Sequence, residues 1–283
     1  MKKILRKIHH TSRSIYIHTN PKYKKHLKVH WLKKRNNFGD ILNPILINLL
    51  TQQNSKDISS EYYFYKNYLV IGSILQYANK NSIVWGSGFI SHENQLLEEP
   101  LSICAVRGKL TREKLLKQGI NCPEIYGDPA LLMPLVYKPK VEKKYKLGII
   151  PHYVDKNNFW LNSLKKRDDI LIINIITDSP LETIKEILSC ENIASSSLHG
   201  LIIADAYKIP SVWIEFSNKV YGAHFKFHDY FSSIGKNISL PYKVNKDILV
   251  NVLIEKAEYS ILNIDLDALL NSCPFNKKLN NKV

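Results

Sequence analysis

The chain of 283 residues is short of the features that mark several large protein classes. It has four cysteines, Cys104, Cys122, Cys190 and Cys273, none in a C-x-x-C pair or at zinc-ligand spacing with a histidine. They read as reduced, mostly buried thiols of a reducing compartment. Nothing approaches the roughly 18 consecutive apolar residues of a membrane span. No apolar run follows the basic N-terminus, so a secretory signal is not expected either. A cytoplasmic protein follows. The 11 glycines and 12 prolines are scattered and aperiodic, which excludes collagen-like and low-complexity chains, and no solenoid repeat is present. There is no phosphate loop of the G-x-x-x-x-G-K-[ST] type and no G-x-G-x-x-G dinucleotide fingerprint. H-E-x-x-H and the G-x-S-x-G nucleophile elbow are missing too. The one D-x-D, Asp265-Leu266-Asp267, lies in an apolar helical stretch, so no metal site is expected there.

Acidic residues are also missing from one region. Residues 1–39 hold twelve Lys and Arg and no Asp or Glu, a charge of +12, while the other 244 residues carry 28 bases and 25 acids. The positive excess is therefore an N-terminal arm on a nearly neutral body. A nucleic-acid-binding domain usually spreads its charge over a folded face, so nucleic acid is not the expected partner. Ile4, Leu5, Ile8, Ile15, Tyr16 and Ile17 interleave with the bases. Two readings stay open: a solvated, partly disordered tail, or an arm lying on an anionic membrane surface at the inner face of the cell membrane.

What is present is an ordinary globular composition, 45% hydrophobic and 23% charged, over a length that suggests two domains. Strand-like apolar runs alternate with helical segments. Strands are expected at His26–Leu32, Tyr68–Ile71, Ser82–Trp85 and Leu101–Val106, with helices at Ile41–Thr51, N-capped by Asp40, and Thr111–Gln118. Residues 126–146, with Pro129, Pro134 and Pro139 and a basic run, read as an interdomain linker. Beyond it come strands at Tyr145–Ile150, Ile170–Ile175, Asn192–Ala194 and Ser211–Glu215. Helices are expected at Leu181–Leu188, Leu198–Lys208 and Asp247–Leu262. The pattern predicts two doubly wound α/β halves facing a cleft, with ligands outside the carboxyl ends of the strands.

Polar residues gather at those strand ends. Ser195-Ser196-Ser197-Leu198-His199-Gly200 places three serines before an apolar helix, a ready anion site with His199 set to exchange a proton beside it; a plain serine-rich cap fits the same residues. Arg107 has the fork geometry to clamp a carboxylate or phosphate, or to form an ordinary ion pair. His152 follows Pro151 at the first strand end of the second half, where a structural histidine is as compatible as a functional one. Asn37, Gly39 and Asp40 form the first helix entrance. Lys226 and His228 lie in a polar-aromatic segment with no clear secondary structure.

In their order along residues 28–235, several short motifs resemble the polysaccharide pyruvyl transferase family. They are Asn37-Phe38-Gly39-Asp40, Trp85-Gly86-Ser87-Gly88, Val106-Arg107-Gly108, Gly127-Asp128-Pro129 and Ile150-Pro151-His152. Ser195 to Gly200, then Ala204-Asp205-Ala206 with Pro210, and finally Lys226 to Phe231 complete the set. Behind the basic arm (1–25) that the charge sets apart, the resemblance implies two Rossmann-like domains, 26–137 on the acceptor side and 138–283 on the donor side, in a glycosyltransferase-B-like arrangement. It implies transfer of pyruvate from phosphoenolpyruvate to two hydroxyls of a sugar in an exopolysaccharide, capsule or other surface polysaccharide precursor, giving a ketal and phosphate. That chemistry requires no metal or cofactor. The acceptor saccharide would be polymeric or lipid-linked. On this reading His199 is the general acid, Arg107 holds the donor carboxylate or phosphate, and Ser196, Ser197 and Gly200 surround the phosphate. His152 assists donor binding or proton transfer, Lys226 belongs to the late motif, and Asn37 and Asp40 face the acceptor. Some members carry arginine where this chain has Ser197, so either another base replaces it or the donor differs. The rivals are a sugar-nucleotide glycosyltransferase of similar architecture and a non-enzymatic binding protein.

Overall fold

A computed structural model describes residues 2–32, 36–222, 224–237, 240–245 and 247–275. Its elements in chain order open with α1 (Lys2–Thr19), α2 (Pro21–Lys24), β1 (Leu27–His30), α3 (Phe38–Thr51), β2 (Ser55–Ile58), β3 (Asn67–Leu69), β4 (Ser82–Trp85), β5 (Ser102–Ala105) and α4 (Lys109–Lys117). The chain continues through α5 (Met133–Val136), β6 (Tyr145–Ile150), α6 (Phe159–Leu164), β7 (Ile170–Ile172), α7 (Pro180–Leu188), β8 (Cys190–Ser195), α8 (Leu198–Ala206) and β9 (Ser211–Glu215). It closes with α9 (Phe225–Ile234), β10 (Tyr242–Lys243), α10 (Val250–Glu255) and α11 (Leu266–Asn271).

The strands form two parallel five-stranded sheets, ordered β2-β1-β3-β4-β5 and β10-β9-β8-β6-β7. Counted within its own half, each sheet has the order 2-1-3-4-5. Each therefore has a switch point between its first and third strands, the place where doubly wound sheets hold ligands. In the first sheet it lies between β1 and β3, in the second between β6 and β8. The apolar runs of β4 and of Leu147–Ile150 are buried, as parallel strands covered on both faces require.

One apolar cluster joins the halves. It includes Phe38, Leu42 and Leu46 of α3, Ile184 and Ile187 of α7, and Ile202 of α8. The entrance to α3 is also bonded to the second half: the Phe38 amide donates to the Ile175 carbonyl at 2.7 Å, and the Thr177 amide to that of Asn36 at 3.0 Å.

Several sequence expectations need correction. The arm is not an unstructured tail: residues 2–19 form α1, whose Ile17 packs with Ile58 and Tyr63 and whose Arg13 pairs with Asp57 at 2.9 Å. The α3 cap is Asn37, which accepts from the Gly39 amide, and Asp40 sits a turn further in. The expected linker starts too early, because Pro129 to Met133 are core; the irregular, mostly exposed stretch is 138–144. The segment from Lys226 is the helix α9, while Asp247–Leu262 is broken, with only Val250–Glu255 helical. Edge strands β2 and β10 and helix α6 were missed; Ser-Lys-Asp-Ile and Tyr-Lys carry too few apolar residues to signal a strand. All four thiols are unpaired, three of them buried. Asp265 of the D-x-D caps α11 through the Ala268 amide.

Candidate active site

The carboxyl ends of all four switch-point strands open onto one cavity of about 310 Å³. Leu32, which follows β1, and Gly72 and Ser73, which follow β3, line it from the first sheet. His152 and Tyr153 after β6 and Ser197, Leu198 and His199 after β8 line it from the second. Asn37 and Asp40 of the α3 entrance and Lys226 of the first turn of α9 complete the polar wall, and Ile74 and Ile90 add apolar surface. The sites expected from each half thus meet in one place.

Three helices begin at this cavity, which sets its electrostatics. The first-turn amides of α3, α8 and α9 have no partner within their own helices, and the helix dipoles favour negative charge at these ends. Ser197 occupies the cap position of α8 and lines the cavity, yet its hydroxyl makes no capping bond. Ser195 instead holds the turn, its hydroxyl donating to the Ser197 carbonyl and accepting from the Ser197 amide.

Two ionisable groups are shifted strongly. Burial pushes the Asp40 carboxyl up to about 6, with His199, the Leu32 amide and Lys226 pulling the other way. Burial, reinforced by Arg107, brings the Lys226 ammonium down to about 8, with Asp40 opposing. Lys226 forms no hydrogen bond among the described residues; its ammonium lies 5.5 Å from the Phe227 ring centre. It is a desolvated cation at the mouth of three helix starts.

His199 is held from two sides. Its Nε2 lies 3.5 Å from Oδ2 of Asp128, an ion-pair distance, and neither atom has a hydrogen-bond partner among the described residues. Asp128 is fixed in turn, its Oδ1 accepting from the Ala130 amide at 3.0 Å. On the other side the ring lies on Gly39, where a Cβ would come within 2.0 Å of Nδ1. The asparagine of Asn37-Phe-Gly-Asp40 starts the helix, the glycine admits the histidine, and the aspartate reaches the cavity.

The remaining expected residues play other parts. Arg107 does not line the cavity. Its fully buried guanidinium donates to Asp229 through Nε at 2.9 Å, to the Ser73 hydroxyl and to the Phe89 carbonyl at 2.6 Å. Asp229 also accepts from the Thr111 amide and hydroxyl, both at 2.7 Å, so it caps α4 from across the fold. A Cβ at Gly108 would sit 1.7 Å from the Asp229 carbonyl oxygen, and one at Gly88 2.7 Å from the Arg107 guanidinium. Val-Arg-Gly and the late motif are thus two sides of one buried lock. Ser196 is buried and accepts from the His152 amide at 2.8 Å. Gly200 packs on the Ser195 hydroxyl, where a Cβ would lie 2.4 Å away. His152 does line the cavity; its Nδ1 accepts from the Val154 amide at 3.4 Å. Asp128 was absent from the expected site. Its signal was a carboxylate fixed before a proline, in a motif read only for its resemblance.

Among the described residues no cluster of His, Cys, Asp and Glu has the makings of a metal site, and no helix is long and apolar enough to cross a membrane.

The family model described as polysaccharide pyruvyl transferase matches residues 1–218. An uncharacterized protein, L143, of Acanthamoeba polyphaga mimivirus is 31% identical over 254 residues, 88% of each chain. The succinoglycan biosynthesis protein ExoV of Rhizobium meliloti is 27% identical over 213 residues, 73% of this chain and 64% of that protein. A solved structure of a functionally uncharacterized Klebsiella pneumoniae protein overlaps 76% of this chain and 93% of its own, with 11% identity and a TM-score of 0.39.

Proposed function

The chain belongs to the polysaccharide pyruvyl transferase family, and from that premise we propose that its cavity binds phosphoenolpyruvate and passes the pyruvyl group to two hydroxyls of a sugar in a polysaccharide precursor. Membership itself carries transferase activity in polysaccharide biosynthesis. The donor, the ketal product and the residue roles are our reading. The observation that carries it is the meeting of His199, the desolvated Lys226 and the open N-terminus of α8 in one cavity at both switch points.

The donor brings a phosphate and a carboxylate. Amides at a helix start and the Ser197 hydroxyl suit the phosphate. Lys226 supplies the fixed positive charge, in place of the arginine that some family members carry at position 197. Protonated His199 gives its proton to the methylene carbon, which becomes a methyl group and leaves a cationic centre at C2. The proton leaves from Nδ1, because Nε2 is buried against Asp128. The first sugar hydroxyl bonds to C2 and yields its proton to Asp40, whose raised pKa makes it a competent base near neutrality. The C2–O bond to phosphate then breaks, and phosphate leaves with the bonding electrons. The second hydroxyl adds to C2 and loses its proton. Of the two hydroxyl protons, one balances the methyl group and the other leaves with phosphate. Asp128 acts through His199, fixing the ring and its tautomer.

A thermal-shift titration tests this reading. A ligand that binds only the folded protein adds about 2.7 kcal/mol of apparent stability at 100 times its Kd. Phosphoenolpyruvate should give a saturable shift that equal concentrations of phosphate and pyruvate do not, and Lys226→Met should move it to higher ligand concentration. A shift with a nucleotide sugar and none with phosphoenolpyruvate would replace this reading with glycosyl transfer.

A further inference from the structure

The helix α1 touches the body with one face only. At about 100° per residue, Ser14 and Ile17 point one way, and both are buried, 2% and 1% exposed. Arg13 on the same side is tied to Asp57, and His18 stacks on Tyr65 with ring centres 3.6 Å apart. The opposite side carries Ile4, Ile8 and Ile15, bordered by Leu5 and Tyr16. These five are 65%, 57%, 47%, 58% and 56% exposed. An apolar stripe is therefore held outward on a helix whose other side fixes it to β2.

The charge around the stripe narrows what can cover it. Residues 1–39 carry +12 and no acid. Arg6 and Lys7 are exposed but by the same count share the side of Ile17 and Ser14, whereas the exposed Lys22, Lys24 and Lys25 follow the stripe on the surface. A second copy of the chain would bring another +12 against this one. A nucleic acid would meet the bases but leave the isoleucines in water. An anionic lipid surface meets both needs, because its headgroups attract the bases and its acyl boundary takes the apolar stripe.

We propose that α1 is an interfacial helix that lays Ile4, Ile8 and Ile15 into an anionic membrane surface while the exposed Lys22, Lys24 and Lys25 that follow it engage its headgroups. The geometry of α1 carries this inference whatever reaction the cavity performs.

Sedimentation of the full chain with vesicles tests it. One set is phosphatidylcholine alone; the other is phosphatidylcholine mixed with phosphatidylglycerol. The chain should pellet with the mixed vesicles and stay in solution with the neutral ones, and added salt should release it. Ile4→Ala/Ile8→Ala keeps the charge and helix propensity, and should weaken binding at least about 10-fold. Lys24→Gln/Lys25→Gln removes two surface charges and should weaken it about 30-fold. Far-UV circular dichroism confirms that both variants remain folded. Absence of pelleting, equal pelleting with neutral vesicles, or an alanine variant that binds like the parent would each overturn the proposal. So would tight binding to duplex DNA that persists in the alanine variant, which would assign the arm to nucleic acid.

Discussion

Gly39 and His199 are in contact across the two halves of the fold, and a single methyl group on Gly39 would fall within 2.0 Å of Nδ1 of the imidazole. Gly39 lies in the first turn of α3, where alanine is the better helix former by roughly 0.5–1 kcal/mol. Helix energetics and site geometry therefore oppose each other there. Gly39→Ala should leave the melting temperature within a few degrees of the parent. It should also displace the ring and lower kcat/KM by at least about 100-fold, since a shift of about 1 Å at a reacting group has that effect. Paired melting and steady-state measurements check it; full activity would show that the ring does not need its present seat.

His199 and Asp128 should separate chemistry from positioning. His199→Ala is expected to lose at least about 100-fold in kcat with the fold intact, the low end of what a histidine contributes in general acid catalysis. Asp128→Asn keeps the Ala130 cap through its amide oxygen but offers the ring a neutral partner. It should reduce kcat by less than His199→Ala, with little change in donor KM. The double variant should be no worse than His199→Ala alone, because Asp128 acts only through the ring. An additive double variant would contradict that coupling.

Arg107 is expected to act on stability, because its guanidinium is fully buried against Asp229. Removing it leaves the carboxylate of Asp229 buried with no cation, a change that typically destabilises by about 3–5 kcal/mol. Arg107→Ala should lower the urea midpoint accordingly, while the fraction that still folds binds phosphoenolpyruvate with a Kd close to the parent's. Loss of donor binding at unchanged stability would return Arg107 to the role its sequence position first suggested.

That difference shows where sequence reading works and where it stops. The βα alternation was legible because buried parallel strands such as Tyr145–Ile150 are continuous apolar runs that end in small or polar residues. Placing His199, His152 and Asp40 together followed from the rule that doubly wound sheets gather function at strand ends, whereas Lys226 was expected there only through the late motif. Partner choice was not legible. An arginine at a strand end reads alike whether it faces a ligand or an aspartate 122 residues away. Nor does the sequence say that Asp128 turns one oxygen to a backbone amide and the other to His199. The segment from Lys226 resisted assignment because Lys226, Asp229 and Ser233, polar residues that mark a surface in a sequence, are buried together with its aromatic side chains.

Donor binding should depend on pH in two steps, both in the same direction. The Asp40 carboxyl, held up to about 6 by burial, gains its negative charge as pH rises through that value, and the new charge repels an anionic ligand. The Lys226 ammonium, held down to about 8 by burial, loses its positive charge as pH rises further. Phosphoenolpyruvate affinity should therefore fall near pH 6 and again near pH 8. Asp40→Asn should remove the first step and Lys226→Met the second, the latter at lower affinity throughout. Stability shifts with Asp40 too. Its folded pKa lies above the ordinary carboxylate value, so folding is favoured while it stays protonated. That contribution is lost between about pH 4, where the unfolded chain ionises, and about pH 6, where the folded one does. Calorimetric titration of each variant from pH 5 to pH 9, at about constant ionic strength, reads the binding steps directly. A parent affinity that stays flat across that range would remove both groups from contact with the donor.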